Sequence, residues 1–325
     1  MIWKTRGVTA EKERLEVLLR RLPKWHAAYQ DVLSEVYSDA AGSGGEERFD
    51  EYFAASPIPF PHIVLHNVSL KSFRIFQLDS LMITSWCLYV FEVKNMGGRL
   101  IFKPSPMQME QQKDDGTVIG RKSPIEQIST NEWLFEEWLR AQGILLPIRS
   151  VLVLSYPKQI AENVPETQVT IFSHQLPMFL HKLEVGEPLM TLDDMKELAR
   201  AITDALVPYA PKPICANPSY SIDSMLRGVW CAGCSRLGMV RRYGSWHCTG
   251  CGVSSKDAHV RTIKDWLLLT GEPVTNKLCR EILGIEDRHL VKRLLNGMKM
   301  QKQGEFKSAN YVLERSCSYF VKSRS

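Results

Sequence analysis

The chain has 325 residues, of which 44% are hydrophobic and 24% charged, and it carries a formal net charge of +5. This composition is typical of a folded soluble protein with two or three domains. No stretch approaches the roughly 18 consecutive apolar residues of a membrane span, so we expect no membrane association. The charged run Glu11-Lys12-Glu13-Arg14 near the start predicts that there is no signal peptide, and a cytoplasmic location is expected.

The first 40 residues are predicted to form an N-terminal helical segment. Leucines recur at helical spacing from Leu15 to Leu22, and Pro23 breaks the pattern, so the segment is one long helix or two short ones. The run Gly42-Ser43-Gly44-Gly45 predicts a flexible turn, and a further helix is expected over residues 46–54.

Residues 41–206 are predicted to form an α+β domain of helix, antiparallel strands, helix and strand. Strands are predicted at residues 63–68, 73–84, 88–93, 99–102, 151–155 and 169–172. Helices are predicted over residues 124–140 and 192–206, and Lys113-Asp114-Asp115-Gly116 is expected at a hairpin tip. Residues 207–226 contain four prolines and are predicted to be a linker.

Two of the predicted strands contain acidic residues where a core strand ordinarily has none. Asp79 lies in one, and Glu92 and Lys94 lie in the next, two residues apart and therefore on one face. Two carboxylates and a lysine suit Mg²⁺ or Mn²⁺ beside a phosphate, as in metal-assisted phosphodiester hydrolysis. The alternative is an ordinary salt bridge on an exposed sheet face. The apolar run 89–91 favours a central strand and therefore a site.

Spaced motifs in this region resemble, in the same order, those of the nuclease-related domain (NERD). This family is assigned to the PD-(D/E)xK superfamily of metal-dependent nucleases. The motifs are Gly45-Glu46, Gln77-Leu78-Asp79, Phe91-Glu92-Val93-Lys94-Asn95 followed by Gly98, and Pro124-Ile125-Glu126-Gln127. The resemblance covers roughly residues 40–150. It implies a restriction-endonuclease-like αβββαβ core, a mixed sheet flanked by helices.

The resemblance also implies roles for five residues. Glu46 matches the glutamate of the family's first helix, Asp79 its metal-binding aspartate, and Glu92 and Lys94 its E-x-K pair. Gln127 matches the glutamine at the start of the following helix. The expected catalytic set is therefore Glu46, Asp79, Glu92, Lys94 and Gln127, with Asp79 and Glu92 as ligands of Mg²⁺ or Mn²⁺.

The sequence departs from the family pattern at two points. Ser80 follows Asp79 where the family usually has histidine, and the hairpin near Trp86 lacks the usual glycine. Loss of the histidine weakens phosphate contacts or is neutral. All the core acidic and basic residues are present, so we do not interpret the site as inactive.

Four of the eight cysteines form two close pairs, Cys231-x2-Cys234 and Cys248-x2-Cys251. Two such pairs at this separation place four thiolates around one tetrahedral Zn²⁺, and four cysteine ligands make the site structural rather than catalytic. The domain predicted over residues 227–254 is therefore a zinc ribbon. Free, disulfide-bonded or redox-active cysteines are the alternatives.

Positive charge is concentrated in the last third of the chain. Residues 227–251 contain four arginines and no acidic residue, and 14 Lys/Arg stand against 8 Asp/Glu from Lys256 onward. A basic region on an otherwise acidic chain is typical of a nucleic-acid-binding appendage, with chance surface charge as the alternative. Within the ribbon, Arg241 and Arg242 alternate with aromatic residues, which suits single-stranded nucleic acid or simply the ribbon core. For Trp246 we favour the core.

Residues 255–325 are predicted to form a winged helix-turn-helix. Helices are expected over residues 258–269 and 276–283, the second capped by Thr275, and over a third stretch that begins near Asp287. A hairpin around residues 303–307 would be the wing. The third helix carries Arg288, Lys292 and Arg293, which are expected to bind DNA; a small protein-interaction domain is the alternative.

Two hypotheses of different class follow. The chain is a metal-dependent DNA nuclease whose ribbon and winged helix bind the substrate, or it is a catalytically silent DNA-binding or regulatory scaffold. RNA is a weaker alternative target. The sequence does not indicate the oligomeric state.

Overall fold

A computed structural model describes residues 1–7, 10–207, 213–298, 300–303 and 310–313. The chain divides into two compact units. Unit 1 comprises Met1–Gly7 with Ser38–Val207, and unit 2 comprises Val8–Tyr37 with Pro208–Ser325. No helix within the described ranges is long and apolar enough to cross a membrane.

The elements are numbered in chain order. The α-helices are α1 (Ala10–Arg21), α2 (Tyr29–Ala54), α3 (Pro124–Ala141), α4 (Leu176–His181), α5 (Leu192–Asp204), α6 (Ala258–Thr270), α7 (Asn276–Leu283) and α8 (Arg288–Gly297). The strands of unit 1 are β1 (Ile2–Lys4), β2 (Ile63–Lys71), β3 (Ile75–Ile83), β4 (Leu88–Lys94), β5 (Arg99–Pro104), β6 (Met107–Gln112), β7 (Val118–Arg121), β8 (Ile148–Leu154), β9 (Ile160–Glu162) and β10 (Thr170–Phe172). Those of unit 2 are β11 (Val229–Trp230), β12 (Leu237–Arg242), β13 (Ser245–His247), β14 (Ser254–Ser255), β15 (Val274–Thr275), β16 (Met300–Gln303) and β17 (Asn310–Leu313).

Unit 1 is built on a six-stranded mixed sheet in the order β1-β2-β3-β4-β8-β10. Strands β2, β3 and β4 pair antiparallel, whereas β1 with β2, β4 with β8 and β8 with β10 pair parallel. Apolar side chains of α2 and α4 pack on one face, and those of α3 and α5 pack on the other. Because both faces are covered, β4 is apolar on both sides, and a charged residue within it lies in the core.

A second sheet of unit 1 has the order β7-β6-β5-β9. Its strands β5, β6 and β7 are inserted between β4 and α3, and β9 joins it from the segment after β8. The predicted turn at its tip is present, because the Lys113 N–H donates to the Thr117 carbonyl and the Gly116 N–H donates to the Lys113 carbonyl. Lys94 ends β4 just before this insertion, and Gln127 lies in the first turns of α3 just after it. The insertion therefore separates in sequence two residues that the fold brings back together.

The predicted flexible turn at residues 42–45 is wrong, because α2 runs unbroken from Tyr29 to Ala54. At Gly45 a Cβ atom would lie 2.5 Å from Ser155 Oγ and 2.7 Å from Asn95 Cβ. The Asn95 amide also donates to the Ala41 carbonyl at 2.7 Å. The glycine lets the helix approach the ends of β4 and β8, and this contact offsets the low helix propensity of the run.

Unit 2 has one continuous core that includes apolar residues of α1, α6, α7 and α8. The guanidinium of Arg21, which is fully buried, pairs with Asp265 of α6 at 2.8 Å. A four-stranded sheet, β11-β12-β13-β14, carries the four paired cysteines, and β15, β17 and β16 form a three-stranded sheet beside the last helices. Thr275 caps α7, as predicted, by accepting from the Leu278 N–H at 3.2 Å.

The structure divides the chain differently from the sequence at two predicted boundaries. Residues 1–40 do not stay together: the first seven belong to unit 1, whereas the stretch from Val8 to Tyr37 belongs to unit 2. Of the predicted linker, residues 213–226 belong to unit 2, with Ile214, Tyr220 and Met225 buried in its core. The prolines at 208 and 211, and the predicted wing tip at residues 304–307, lie outside the described residues.

Candidate functional site

Strands β3 and β4 diverge in unit 1, and polar side chains fill the fork. Their pairing covers Ser80 to Ile83 against Leu88 to Phe91 and ends there. One residue beyond it, Asp79 Oδ2 accepts the Val93 N–H at 2.9 Å. A carboxylate thus replaces the backbone carbonyl that a continuing strand would offer, which holds Asp79 beside the end of β4.

Glu92 is the buried centre of this fork, with 2% of its surface exposed. Its Oε1 atom accepts from Lys94 Nζ at 2.6 Å and from the side-chain amide of Gln127 at 2.6 Å. Gln127 reaches it from the start of α3, which begins at Pro124 and is capped by Ser123. The predicted E-x-K pair is therefore an ion pair inside the fold, and the alternative of an exposed sheet face is wrong.

Glu46 approaches the fork from α2. Its Oε2 atom lies 3.0 Å from Arg6 Nη1, and the same guanidinium binds Asp50, one helical turn further on, through Nε at 2.8 Å. We call Glu46, Asp79, Glu92, Lys94 and Gln127 the carboxylate–lysine site.

The acidic members of this site hold their protons unusually tightly. Burial, reinforced by repulsion from Asp79, raises the pKa of Glu92 to about 7. Burial likewise raises the pKa of Glu46 to about 7, although Arg6 opposes the effect. Burial also raises the pKa of Asp79. For Lys94, burial is outweighed by Glu92 and Asp79, which raise its pKa and keep it charged.

The site has three carboxyl groups, Glu46, Asp79 and Glu92, and one lysine, Lys94. Hard carboxylate oxygens that repel one another are the donor set that Mg²⁺ or Mn²⁺ prefers, so the residues present fit a divalent cation. Within the described residues, the carboxylate oxygens of Glu46, Asp79 and Glu92 do not all lie within 4.8 Å of one another. Mutual repulsion opposes a closer approach.

Sequence reasoning missed four residues that surround the carboxylate–lysine site. Arg6 lies 40 residues before Glu46, and no motif marks it. Asp50 and His66 face each other, with Asp50 Oδ1 3.5 Å from His66 Nδ1, and His66 Nδ1 is 2.9 Å from Ser80 Oγ. Asn67 adopts a left-handed φ of 49° beside them. Burial lowers the pKa of His66 to about 4, so His66 is neutral at pH 7.

The second candidate site is the cysteine cluster of unit 2. The ligand atoms of Cys231, Cys234, Cys248 and Cys251 all lie within 4.8 Å of one another. Backbone N–H groups of Cys251 and Gly250 lower the pKa of the Cys248 thiol, whereas hydrogen bonds with the other thiols raise the pKa of Cys234. The spacing and the thiolate donor set fit a tetrahedral Zn²⁺.

The predicted nucleic-acid-binding residues of unit 2 are divided between exposed and packed positions. Arg288, Lys292 and Arg293 are exposed on α8, whose opposite face buries Val291 and Leu294. Arg242 is also exposed. Arg241 instead stacks over the ring of Trp246 at 5.3 Å and donates to the Gly244 carbonyl. The core position that we favoured for Trp246 is confirmed, since 1% of its surface is exposed.

Comparison with protein families identifies one domain of this chain. Residues 41–155 match the family model described as the nuclease-related domain, NERD. The matched stretch includes all five residues of the carboxylate–lysine site. Searches of curated proteins and of solved structures found no match.

Proposed function

We propose that the protein is a metal-dependent nuclease of the PD-(D/E)xK type that hydrolyses DNA phosphodiester bonds at the carboxylate–lysine site. The observation that carries this proposal is the buried Glu92, bonded to Lys94 and Gln127 and within electrostatic reach of Asp79 and Glu46. Desolvation of an ionisable cluster is costly, so such a cluster is a candidate for chemistry. The match to the nuclease-related domain over the same residues supports the assignment.

In this proposal Asp79 and Glu92 hold Mg²⁺ or Mn²⁺, which when bound polarises the scissile phosphate and lowers the pKa of a water molecule. Lys94 orients that water and neutralises the charge that develops on the phosphate. Gln127 holds the Glu92 carboxylate in place, and Glu46 completes the acidic side of the site. A cation is required, because three carboxylates otherwise repel a phosphate.

The proposed substrate-binding parts belong to unit 2. The cysteine cluster would hold a structural Zn²⁺ in a zinc ribbon. The order α6, β15, α7, α8, β16 and β17, with β15, β17 and β16 in one sheet, supports a winged helix-turn-helix. Its third helix, α8, would present Arg288, Lys292 and Arg293 to DNA, with Arg242 as a further phosphate contact and Arg241 mainly supporting the ribbon core.

A plasmid-nicking assay tests the nuclease assignment. Purified protein is incubated with supercoiled DNA, with and without Mn²⁺ or Mg²⁺, and wild type is compared with Glu92→Gln and with the exposed control Glu126→Gln. We expect metal-dependent nicking that Glu92→Gln abolishes and Glu126→Gln retains. Equal nicking by wild type and Glu92→Gln would show that the activity comes from a contaminant or from another site.

A catalytically silent DNA-binding or regulatory protein is the second candidate. It is favoured by the fact that Glu92 Oε1 already accepts two short hydrogen bonds, which compete with a metal for the same oxygen. DNA binding without nicking in any divalent metal, by protein whose Mn²⁺ affinity is unaffected by Glu92→Gln, would favour this candidate. Cleavage of a single-stranded RNA and not of DNA would identify RNA as the substrate.

A further inference from the structure

Arg6 lies outside the matched residues 41–155. Its guanidinium nevertheless donates five hydrogen bonds around the carboxylate–lysine site. Arg6 follows β1, and only 12% of its side chain is exposed. Its guanidinium donates to Asp50 Oδ2, Glu46 Oε2, Asn67 Oδ1, the Asp79 carbonyl and Ser80 Oγ, at distances from 2.8 to 3.0 Å.

These five acceptors lie on three separate elements. Glu46 and Asp50 are on α2, Asn67 is on β2, and Asp79 and Ser80 are on β3. The same guanidinium therefore fixes the carboxylate of Glu46 and the backbone of Asp79 relative to each other. Asp79 is also fixed on its other side, through its side chain and the Val93 N–H.

The segment that carries Arg6 is itself anchored to β2. Strand β1 pairs parallel with β2. Lys4 Nζ donates to the carbonyls of His66 and Asn67 at 2.6 and 2.9 Å. Asn67 adopts a left-handed φ of 49°, and its carbonyl and side-chain oxygen accept from Lys4 and Arg6.

The geometry of these contacts requires a guanidinium rather than a positive charge alone. Arginine offers five N–H donors in a rigid plane, whereas lysine offers one compact ammonium group. Nε and Nη1 of Arg6 each bind a different carboxylate, and Nη2 binds Ser80. Without Arg6, the carboxylates of Glu46 and Asp50, one turn apart on the same side of α2, would have no cation between them.

We infer that Arg6 is a positioning residue that sets Glu46 and Asp79 in the arrangement that binds a divalent cation. The inference rests on the proposed function only in assuming that the carboxylate–lysine site takes such a cation. It makes the first seven residues a working part of a domain whose family match begins at residue 41.

The test is direct Mn²⁺ binding by the full chain at pH 7.5 with its structural zinc retained, measured by electron paramagnetic resonance. Glu92→Gln identifies the Mn²⁺ bound at this site. The variants are Arg6→Gln, Arg6→Lys and the control Arg99→Gln, which removes an exposed arginine of unit 1 paired with Glu162. We expect both Arg6 variants to weaken Mn²⁺ binding about 10- to 100-fold, the range typical of residues that orient metal ligands, and Arg99→Gln to leave it unchanged.

The kinetic constants of the variants should show the same dependence on Arg6. With DNA as substrate, Arg6→Gln should lower kcat and raise the Mn²⁺ concentration for half-maximal activity, while the KM for DNA stays at the wild-type value. Wild-type Mn²⁺ affinity in Arg6→Gln overturns the inference, and wild-type affinity in Arg6→Lys shows that charge suffices and overturns the positioning role.

Two further outcomes separate this inference from the nuclease proposal. Wild-type protein that binds Mn²⁺ in an Arg6-dependent way but cuts no nucleic acid supports the positioning role and contradicts the nuclease. If Arg6→Gln does not fold, by circular dichroism, Asp50→Asn decides. It weakens the Nε contact while leaving the guanidinium in place, and it should reduce Mn²⁺ affinity several-fold; unchanged affinity in folded Asp50→Asn overturns the inference.

Discussion

At the scale of single residues, Glu92 shows how burial raises the pKa of an acidic side chain. It lies inside a strand that is covered on both faces, and neither Lys94 nor Gln127 compensates fully for the lost hydration. The carboxylate therefore keeps its proton to a pH of about 7, whereas an exposed glutamate releases it near its ordinary value of 4.5. A bound cation would displace that proton, so metal binding should strengthen as the pH rises through about 7.

The raised pKa of Glu92 predicts how stability depends on pH without divalent metal. A carboxyl group whose pKa is raised by folding contributes stability that is fully present below about pH 4.5 and is lost as the pH rises through about 7. In metal-free wild type this loss is partly offset by His66 and His259, whose pKa values burial lowers to about 4, so the difference between wild type and Glu92→Gln isolates the contribution of Glu92. Glu92→Gln should lose less, with a difference of up to about 3 kcal/mol at pH 8. Urea unfolding at pH 5 and pH 8 in magnesium-chelating buffer measures this.

The exposed Glu126→Gln variant is the control for that measurement and should follow wild type at both pH values. Part of the pH dependence should persist in Glu92→Gln, because the pKa of Glu46 is also raised to about 7. An equal change in stability from pH 5 to pH 8 in wild type and in Glu92→Gln would contradict the assignment of Glu92 as a buried, proton-retaining carboxyl.

At the scale of elements, α2 shows that a glycine-rich run need not be a turn. Gly45 faces the ends of β4 and β8 at a distance that no side chain permits, while a Cβ at Gly44 meets nothing within 4 Å. The close approach places Glu46 over the fork of β3 and β4. The two glycines therefore have different effects on α2: packing requires Gly45, whereas Gly44 only weakens the helix.

A pair of matched substitutions tests this difference. Gly45→Ala should destabilise unit 1 by about 1–3 kcal/mol, because its methyl group overlaps Ser155 and Asn95. Gly44→Ala should stabilise the protein by about 0.5–1 kcal/mol, because alanine favours the helical state. Thermal unfolding of both variants gives the comparison, and equal effects of one sign would contradict the packing explanation.

Helix α8 allows a second test at this scale. Its residues Arg288, Lys292 and Arg293 are all exposed. If they contact phosphates, replacing all three by glutamine should weaken DNA binding and reduce the slope of log affinity against log salt by about 2–3.

The control for the α8 variant replaces Lys103, Lys113 and Lys182 by glutamine, exposed or half-buried lysines of unit 1 that give the same change in net charge. Fluorescence anisotropy at several salt concentrations measures both variants. An equal loss of DNA affinity in the two triple variants would show that the α8 residues act through net charge and do not contact the DNA phosphates.

At the scale of the whole molecule, the two candidate metal sites belong to different units. The carboxylate–lysine site lies in unit 1 and the cysteine cluster in unit 2. The division between the units falls within α2. Metal sites with different ligands, oxygen in one and sulfur in the other, should respond to different metals.

Zinc removal is therefore expected to affect one unit selectively. Cys231→Ser should abolish stoichiometric zinc binding and loosen β11–β14, because the four thiolates close that sheet. Hydrogen–deuterium exchange should rise across residues 229–255 and stay near the wild-type level in β2–β4, with zinc content measured in parallel. Unchanged zinc content in Cys231→Ser would rule out the cysteine cluster as the zinc site.

The sequence by itself determined the features that depend on short spacing. Glu92 and Lys94 face the same way because side chains alternate along a strand, and the two cysteine pairs meet because each pair needs one tight turn. The amphipathic patterns of α6–α8 and the Thr275 cap were also readable, because hydrophobic periodicity and capping are local. The grouping of Asp79, Glu92 and Gln127 in one candidate site was suggested by the resemblance of several ordered motifs to a known family.

Tertiary structure alone decided the features that join distant segments. Arg6 acquires its role because β1 adds to the edge of the sheet beside β2, which brings it to Glu46 and Asp79. Gly45 lies within a helix because α2 packs closely on the strand ends, where there is no space for a side chain. The raised pKa of Glu92 arises because two helical layers remove β4 from water. These properties depend on burial and on contacts between segments far apart in the chain, which no local pattern encodes.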